Sequence, residues 1–92
     1  MTDILEMLVK PSDQAVESRV GDETVLLHLE NGTYYGLDAV GTRIWELIKD
    51  GVSPVTICAA LAEEYRVPIA SIETDTRRFL SDLQAHAIVT AS

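Results

Sequence analysis

The dipeptide Asn31-Gly32 stands between two short apolar runs and constrains the fold more than any other feature of the chain. Both residue types tolerate the positive φ of a tight turn, so the flanking segments read as the arms of an antiparallel hairpin. Residues 23–30 contain Val25, Leu26, Leu27 and Leu29, and Thr33-Tyr34-Tyr35-Gly36-Leu37 follows, rich in residues that suit a pleated surface. A two-residue loop at Asn31-Gly32 sets Leu29 opposite Tyr34 and Leu27 opposite Gly36, with His28 opposite Tyr35 and Leu26 opposite Leu37. The earlier of these strands is then apolar on both faces, which suits a central strand. Upstream, residues 14–20 carry Val16 and Val20 and end at the turn pair Gly21-Asp22. The three segments form a meander whose first and third strands are edges.

After Leu37 the apolar spacing changes from that of strands to that of helices. Asp38 is placed to cap a first helix with the stripe Val40, Ile44, Leu47 and Ile48, and Gly51 is placed to end it. Ser53-Pro54 opens a second in the cap-then-proline order, with Cys58, Leu61, Ala62 and Tyr65 as its stripe before Pro68. A third runs from 69 or 72 to 86, started either by Pro68 or by Ser71 as cap, with the stripe Ile72, Thr76, Phe79, Leu80 and Leu83. A short apolar tail, Ala87-Ile88-Val89, is available to cover the core. The expected class is α+β, winged helix-turn-helix-like, with a three-stranded antiparallel sheet followed by three helices. Residues 1–92 form one domain, with 1–10 as a flexible or edge-covering N-terminal arm.

Charge and cysteine content narrow the function. Seven Lys and Arg against 15 Asp and Glu give a net charge of −8, which handicaps binding to a polyanion such as nucleic acid. No stretch approaches the roughly 18–20 apolar residues that span a bilayer, and the N-terminus has no signal-peptide pattern, so a cytoplasmic protein without membrane attachment is expected. The lone Cys58 can form no internal disulfide and no zinc cluster. His28 and His86 share no ligand spacing with it, and no metal, cofactor or catalytic set is expected. Trp45 beside Ile44 suits a core anchor better than a stacking platform.

The third strand carries the functional signal. Thr33 to Leu37 is an edge, yet it has no Lys, Pro or charge to block pairing with another chain. Either another segment covers it or it serves for strand addition, in which an extended peptide gains main-chain hydrogen bonds from the edge. Gly36 within the strand marks a bulge or a close backbone approach. The third helix has polar residues on both sides of its stripe: Asp75, Arg78 and Asp82 on one flank, Glu73, Arg77 and Gln84 on the other. A solvated flank looks the same.

These residues resemble the PqqD-like family. The resemblance rests on Val25-Leu26-Leu27-His28-Leu29, Asn31-Gly32, Tyr34-Tyr35-Gly36-Leu37-Asp38, Val40-Gly41 and Arg43-Ile44-Trp45-Glu46-Leu47-Ile48, continues through Leu61-Ala62-Glu63-Glu64-Tyr65 and Asp75, Phe79, Leu80 and Leu83, and covers about residues 9–90. It implies a recognition element, without catalysis of its own, for ribosomally made and post-translationally modified peptides. Such an element takes the leader segment of a precursor as an extra strand on the third strand, against the third helix, and delivers it to a modifying enzyme. The Tyr-Tyr-Gly-Leu and Gly-x-Arg-Ile-Trp-Glu-Leu wording looks most like the stand-alone leader-binding proteins of lasso-peptide clusters, whose partner is a separate peptidase of the cysteine-protease type. It departs from the pyrroloquinoline quinone protein itself, so no quinone role is carried over. By position the resemblance assigns Thr33, Tyr34, Tyr35, Gly36 and Leu37 to the docking edge and Asp75, Arg78, Phe79 and Asp82 to the helix side of the cleft, with Glu73, Arg77 and Leu80 as the other flank. A homodimer paired through the open edge is a further expectation. The alternative is a winged-helix DNA-binding or regulatory module, against which stand the three acidic residues Glu73, Asp75 and Asp82 beside Arg77 and Arg78 on the third helix.

Overall fold

The computed structural model describes residues 3–92. A 3₁₀ turn at Ile4–Glu6 is followed by β1 (Val9–Pro11), β2 (Ala15–Val20), β3 (Glu23–His28) and β4 (Tyr34–Leu37), then α1 (Ala39–Lys49), α2 (Pro54–Tyr65), α3 (Ile69–Ala85) and β5 (Val89–Ala91). Strands β2, β3 and β4 form an antiparallel sheet in that order, so β3 is central and β4 is an edge, as the sequence predicts.

The β3–β4 hairpin differs from the expected register by two residues. Leu26 faces Tyr35 and Thr24 faces Leu37, with Leu27 opposite Tyr34 and Val25 opposite Gly36. Local hydrogen bonds lengthen the loop to residues 29–32. The Gly32 N–H donates to the His28 carbonyl at 2.9 Å, the Asn31 N–H to His28 Nδ1 at 3.3 Å, and the Thr33 N–H to Asn31 Oδ1 at 2.9 Å. An Asn side chain that bonds the backbone two residues on builds its own turn and so competes with the two-residue loop. Gly32 still supplies the left-handed conformation, at φ +71°. Because the slip is an even number, every side chain keeps its face, and Thr24, Leu26 and His28 are buried.

Helix starts follow the sequence signals. Asp38 Oδ1 accepts from the Gly41 N–H at 2.8 Å, and Ser53 Oγ accepts from the Thr56 N–H at 3.3 Å with Pro54 in the first turn. Helix α3 starts directly after Pro68, so Ser71 lies inside it and caps nothing. The helices bury Ile44, Trp45, Ile48, Ile57, Cys58, Leu61, Ile72, Leu80 and Leu83 against Leu26 and Leu37 of the sheet. Trp45 is a core anchor at 2% exposure.

The apolar tail covers the core as expected, whereas the N-terminal segment and its pairing with that tail depart from expectation. From Asp3 onward the N-terminal segment is neither loose nor laid over β4; it packs against α2 and α3, and β1 pairs with β5 in a second, two-stranded sheet. Ile4, Leu5 and Val9 are buried, as are Ile88 and Val89 of the tail. Met1 and Thr2 lie outside the described residues. Arg77 of α3 fixes the segment through a bidentate pair with Asp3, at 2.8 to 3.1 Å. Removing three apolar side chains from water drives this docking, at about 1.5–3 kcal/mol for each one fully buried.

Candidate peptide-binding site

The unpaired side of β4 is set by ladder alternation. The His28 N–H donates to the Thr33 carbonyl at 2.9 Å, which puts the His28–Thr33 pair in the hydrogen-bonded class. Bonded and non-bonded pairs alternate, so Tyr35 and Leu37 direct their main-chain groups to β3, whereas Tyr34 and Gly36 direct theirs outward. Two N–H and two carbonyl groups therefore line an edge with which no strand pairs among the described residues. Nothing crowds it: Tyr34 is 72% exposed, and a Cβ added at Gly36 meets no atom within 4 Å. The ladder runs through Gly36 without a bulge.

Helix α3 forms the opposite wall. Asp75, Phe79 and Asp82 recur at helical spacing on its side toward β4. The Tyr35 hydroxyl donates to Asp82 Oδ2 at 3.4 Å, and the Tyr35 ring meets Phe79 edge-on at 6.5 Å and His86 at 5.5 Å between centroids. Burial, followed by the Asp82 charge and hydrogen bond, pushes the Tyr35 phenol above its ordinary pKa, so it stays a neutral donor at physiological pH. His86 ends the helix with Nδ1 2.8 Å from the Asp82 carbonyl oxygen.

Beyond Leu37, between α1, α2 and α3, a cavity of about 310 Å³ opens. Val40, Ile44, Ile72 and Phe79 give it apolar walls, and Asp38 and Asp75 stand among them. Gly41 lets α1 approach α3 here: a Cβ at this position would meet Asp38 Oδ1 at 3.3 Å and Phe79 Cε1 at 3.4 Å. One Asp38 oxygen is occupied by its cap bond, and Asp75 has no ion pair among the described residues.

Of the residues expected at the site, the structure brings together Tyr34, Tyr35, Gly36, Leu37, Asp75, Phe79 and Asp82. Arg78 is exposed and unpaired among the described residues. Thr33 offers the edge nothing, since its carbonyl accepts from His28 and its N–H donates to Asn31. The other flank points away: Arg77 holds Asp3, and Leu80 is buried in the core. Asp38, Val40, Gly41, Ile44, Ile72 and His86 join the site without having been expected there. The one sequence signal among them is Gly41, a helix-weakening residue in the first turn of α1.

Fold and site together define a small α+β domain of the winged helix-turn-helix type with one unpaired sheet edge beside a side-chain-lined cleft. The chain belongs to the PqqD family: residues 23–89 match the family described as coenzyme PQQ synthesis protein D. Among solved structures, "TbiB1 in Complex with the TbiA(beta) Leader Peptide" is 46% identical over 87% of this chain and 93% of that one, with a TM-score of 0.83. "Lasso peptide synthetase B1 complexed with the leader peptide" has a TM-score of 0.82 over 89% of this chain and 96% of that one, and at 22% identity it shows the shared fold alone. No curated protein sequence matches the chain. Among the described residues, no helix is long and apolar enough to cross a membrane.

Proposed function

We propose that this chain is a non-catalytic recognition element that takes the leader segment of a ribosomally made precursor peptide as an added strand on β4, in the cleft against α3, and presents it to a separate processing enzyme, a leader peptidase of the cysteine-protease type in lasso-peptide maturation. The observation that carries the reading is the outward pair Tyr34 and Gly36 on an edge free of blocking charge. A relative 46% identical to this chain is described with a leader peptide bound. Holding substrate and enzyme on one scaffold raises their mutual concentration and speeds processing without chemistry in the scaffold. A scaffold role also agrees with Cys58, which is buried and has its thiol pushed up by that burial, so it makes a poor nucleophile. The same edge is open to a second copy of the chain, and self-pairing would compete with the leader.

The test is a backbone amide NMR titration with the TbiA(beta) leader peptide and a scrambled version, at two protein concentrations. Saturable shifts in residues 33–38 and along α3, absent with the scramble, are expected. Shifts elsewhere, or none with either peptide, overturn the reading. Shifts in the same residues on concentrating the free protein report self-pairing.

A further inference from the structure

The two walls of the cleft are held by different parts of the molecule. Strand β4 packs on β3 and α1, whereas α3 packs on α2, β5 and the 3₁₀ turn. Tyr35 reaches across, through its hydroxyl to Asp82 and its ring against Phe79 and His86. Strand alternation turns the Tyr35 and Leu37 side chains to the same, inner face. A peptide strand added beyond β4 therefore presents two inward side chains, two residues apart, one beside Tyr35 and one beside Leu37. Their surroundings differ. Beside Tyr35 the inner side already holds three rings, whereas next to Leu37 lie Asp38 and Gly41, which line the cavity between α1 and α3.

We propose that Tyr35 is a specificity-determining strut, which admits only a small side chain at the inward peptide position beside it and leaves the position two residues along free to carry a large one. The inference rests on the leader-binding reading and adds to it which peptide position is selected by size and by which residue. The Asp82 hydrogen bond supports the strut from α3. At 3.4 Å it lies beyond the usual range for an O–H donor, so the ring, packed between Phe79 and His86, sets the limit more than the hydroxyl does.

The experiment is a size scan on the full chain. The TbiA(beta) leader peptide is made with Gly and with Trp at each position in turn, and affinities are measured for wild type, Tyr35→Phe, Tyr35→Ala and Tyr35→Leu. The wild type is expected to reject Trp at least tenfold at a small-residue position two residues from one where a large side chain is favoured. Tyr35→Ala should recover most of that loss at that position and nowhere else, and Tyr35→Phe should keep the discrimination. Tyr35→Leu serves the same purpose if the alanine variant does not fold. A rejected position that persists undiminished in both truncated variants, or a relief spread evenly over all positions, overturns the strut. If the unmodified peptide fails to bind wild type, the leader-binding reading itself fails, and the strut with it; binding without position-specific coupling defeats the strut alone.

Discussion

Replacing Gly36 by proline tests the strand-addition mechanism at a single atom. The Gly36 N–H points away from β3, so its loss leaves the β3–β4 ladder intact, and proline is tolerated on an edge strand when its missing donor faces outward. Tyr35, the preceding residue, is already in a strand, the conformation that a following proline favours. In the complex the variant loses one main-chain hydrogen bond and leaves a peptide carbonyl unpaired in the cleft, at a cost of about 1–3 kcal/mol. A total of about 1–3 kcal/mol corresponds to a roughly 5- to 140-fold weaker affinity. Titration calorimetry with the TbiA(beta) leader peptide measures it, beside a thermal melt of the free protein. Tyr35→Pro is the internal control: its N–H belongs to the bonded Leu26–Tyr35 pair, so it should lower the melting temperature as well as the affinity. A folded Gly36→Pro protein that binds with wild-type affinity would refute the claim that Gly36 donates to the peptide.

Four further outcomes are expected. Gly41→Ala gains up to about 1 kcal/mol of helix propensity but crowds Asp38 and Phe79, so its melting temperature should change little while peptide affinity falls as the cavity wall shifts. Asp38→Ala removes the α1 cap and should cost about 0.5–2 kcal/mol in denaturant unfolding. Leu80→Ala, at a fully buried core position, should cost about 2–5 kcal/mol in the same assay. The Arg77 hydrogen bond holds the Asp3 carboxyl below its ordinary pKa, so their pair stabilises the fold above the unfolded carboxyl's pKa and is lost as pH falls through the lower folded value. The melting temperature of Asp3→Asn should accordingly fall less than that of wild type between neutral and acid pH.

Much of the fold is written locally. Caps at Asp38 and Ser53, proline at the start of α2 and glycine at the turns each act within a few residues, and the helices and the meander follow from them. The hairpin register was harder to read because Asn31 can serve a two-residue turn or bond its own backbone, and the dipeptide looks the same in both cases. The pairing of β1 with β5 left no local trace. Val9-Lys10-Pro11 is too short to show alternation, its proline argues against a strand, and the partner that makes it one lies some 80 residues away, at Val89–Ala91.

The candidate site divides along the same line. The open edge was legible as an absence, four strand residues with no lysine, proline or charge among them, because an unprotected edge is a liability that soluble chains normally block. Which flank of α3 faces that edge was not legible, since a helix with charges on both sides of its stripe can be rolled either way without changing its pattern. The N-terminal segment resolves this. Asp3 caps its own 3₁₀ turn, holds Arg77, and carries Ile4 and Leu5 into the core, so that flank is committed to the N-terminus and the Asp75–Phe79–Asp82 flank turns to β4. The stretch expected to be loose or to cover the edge instead helps to fix the wall that faces it. Shortening the chain before Val9 should therefore weaken peptide binding even though none of the removed residues lies in the cleft, whereas equal affinity in a folded truncated protein would show that α3 holds its orientation without them.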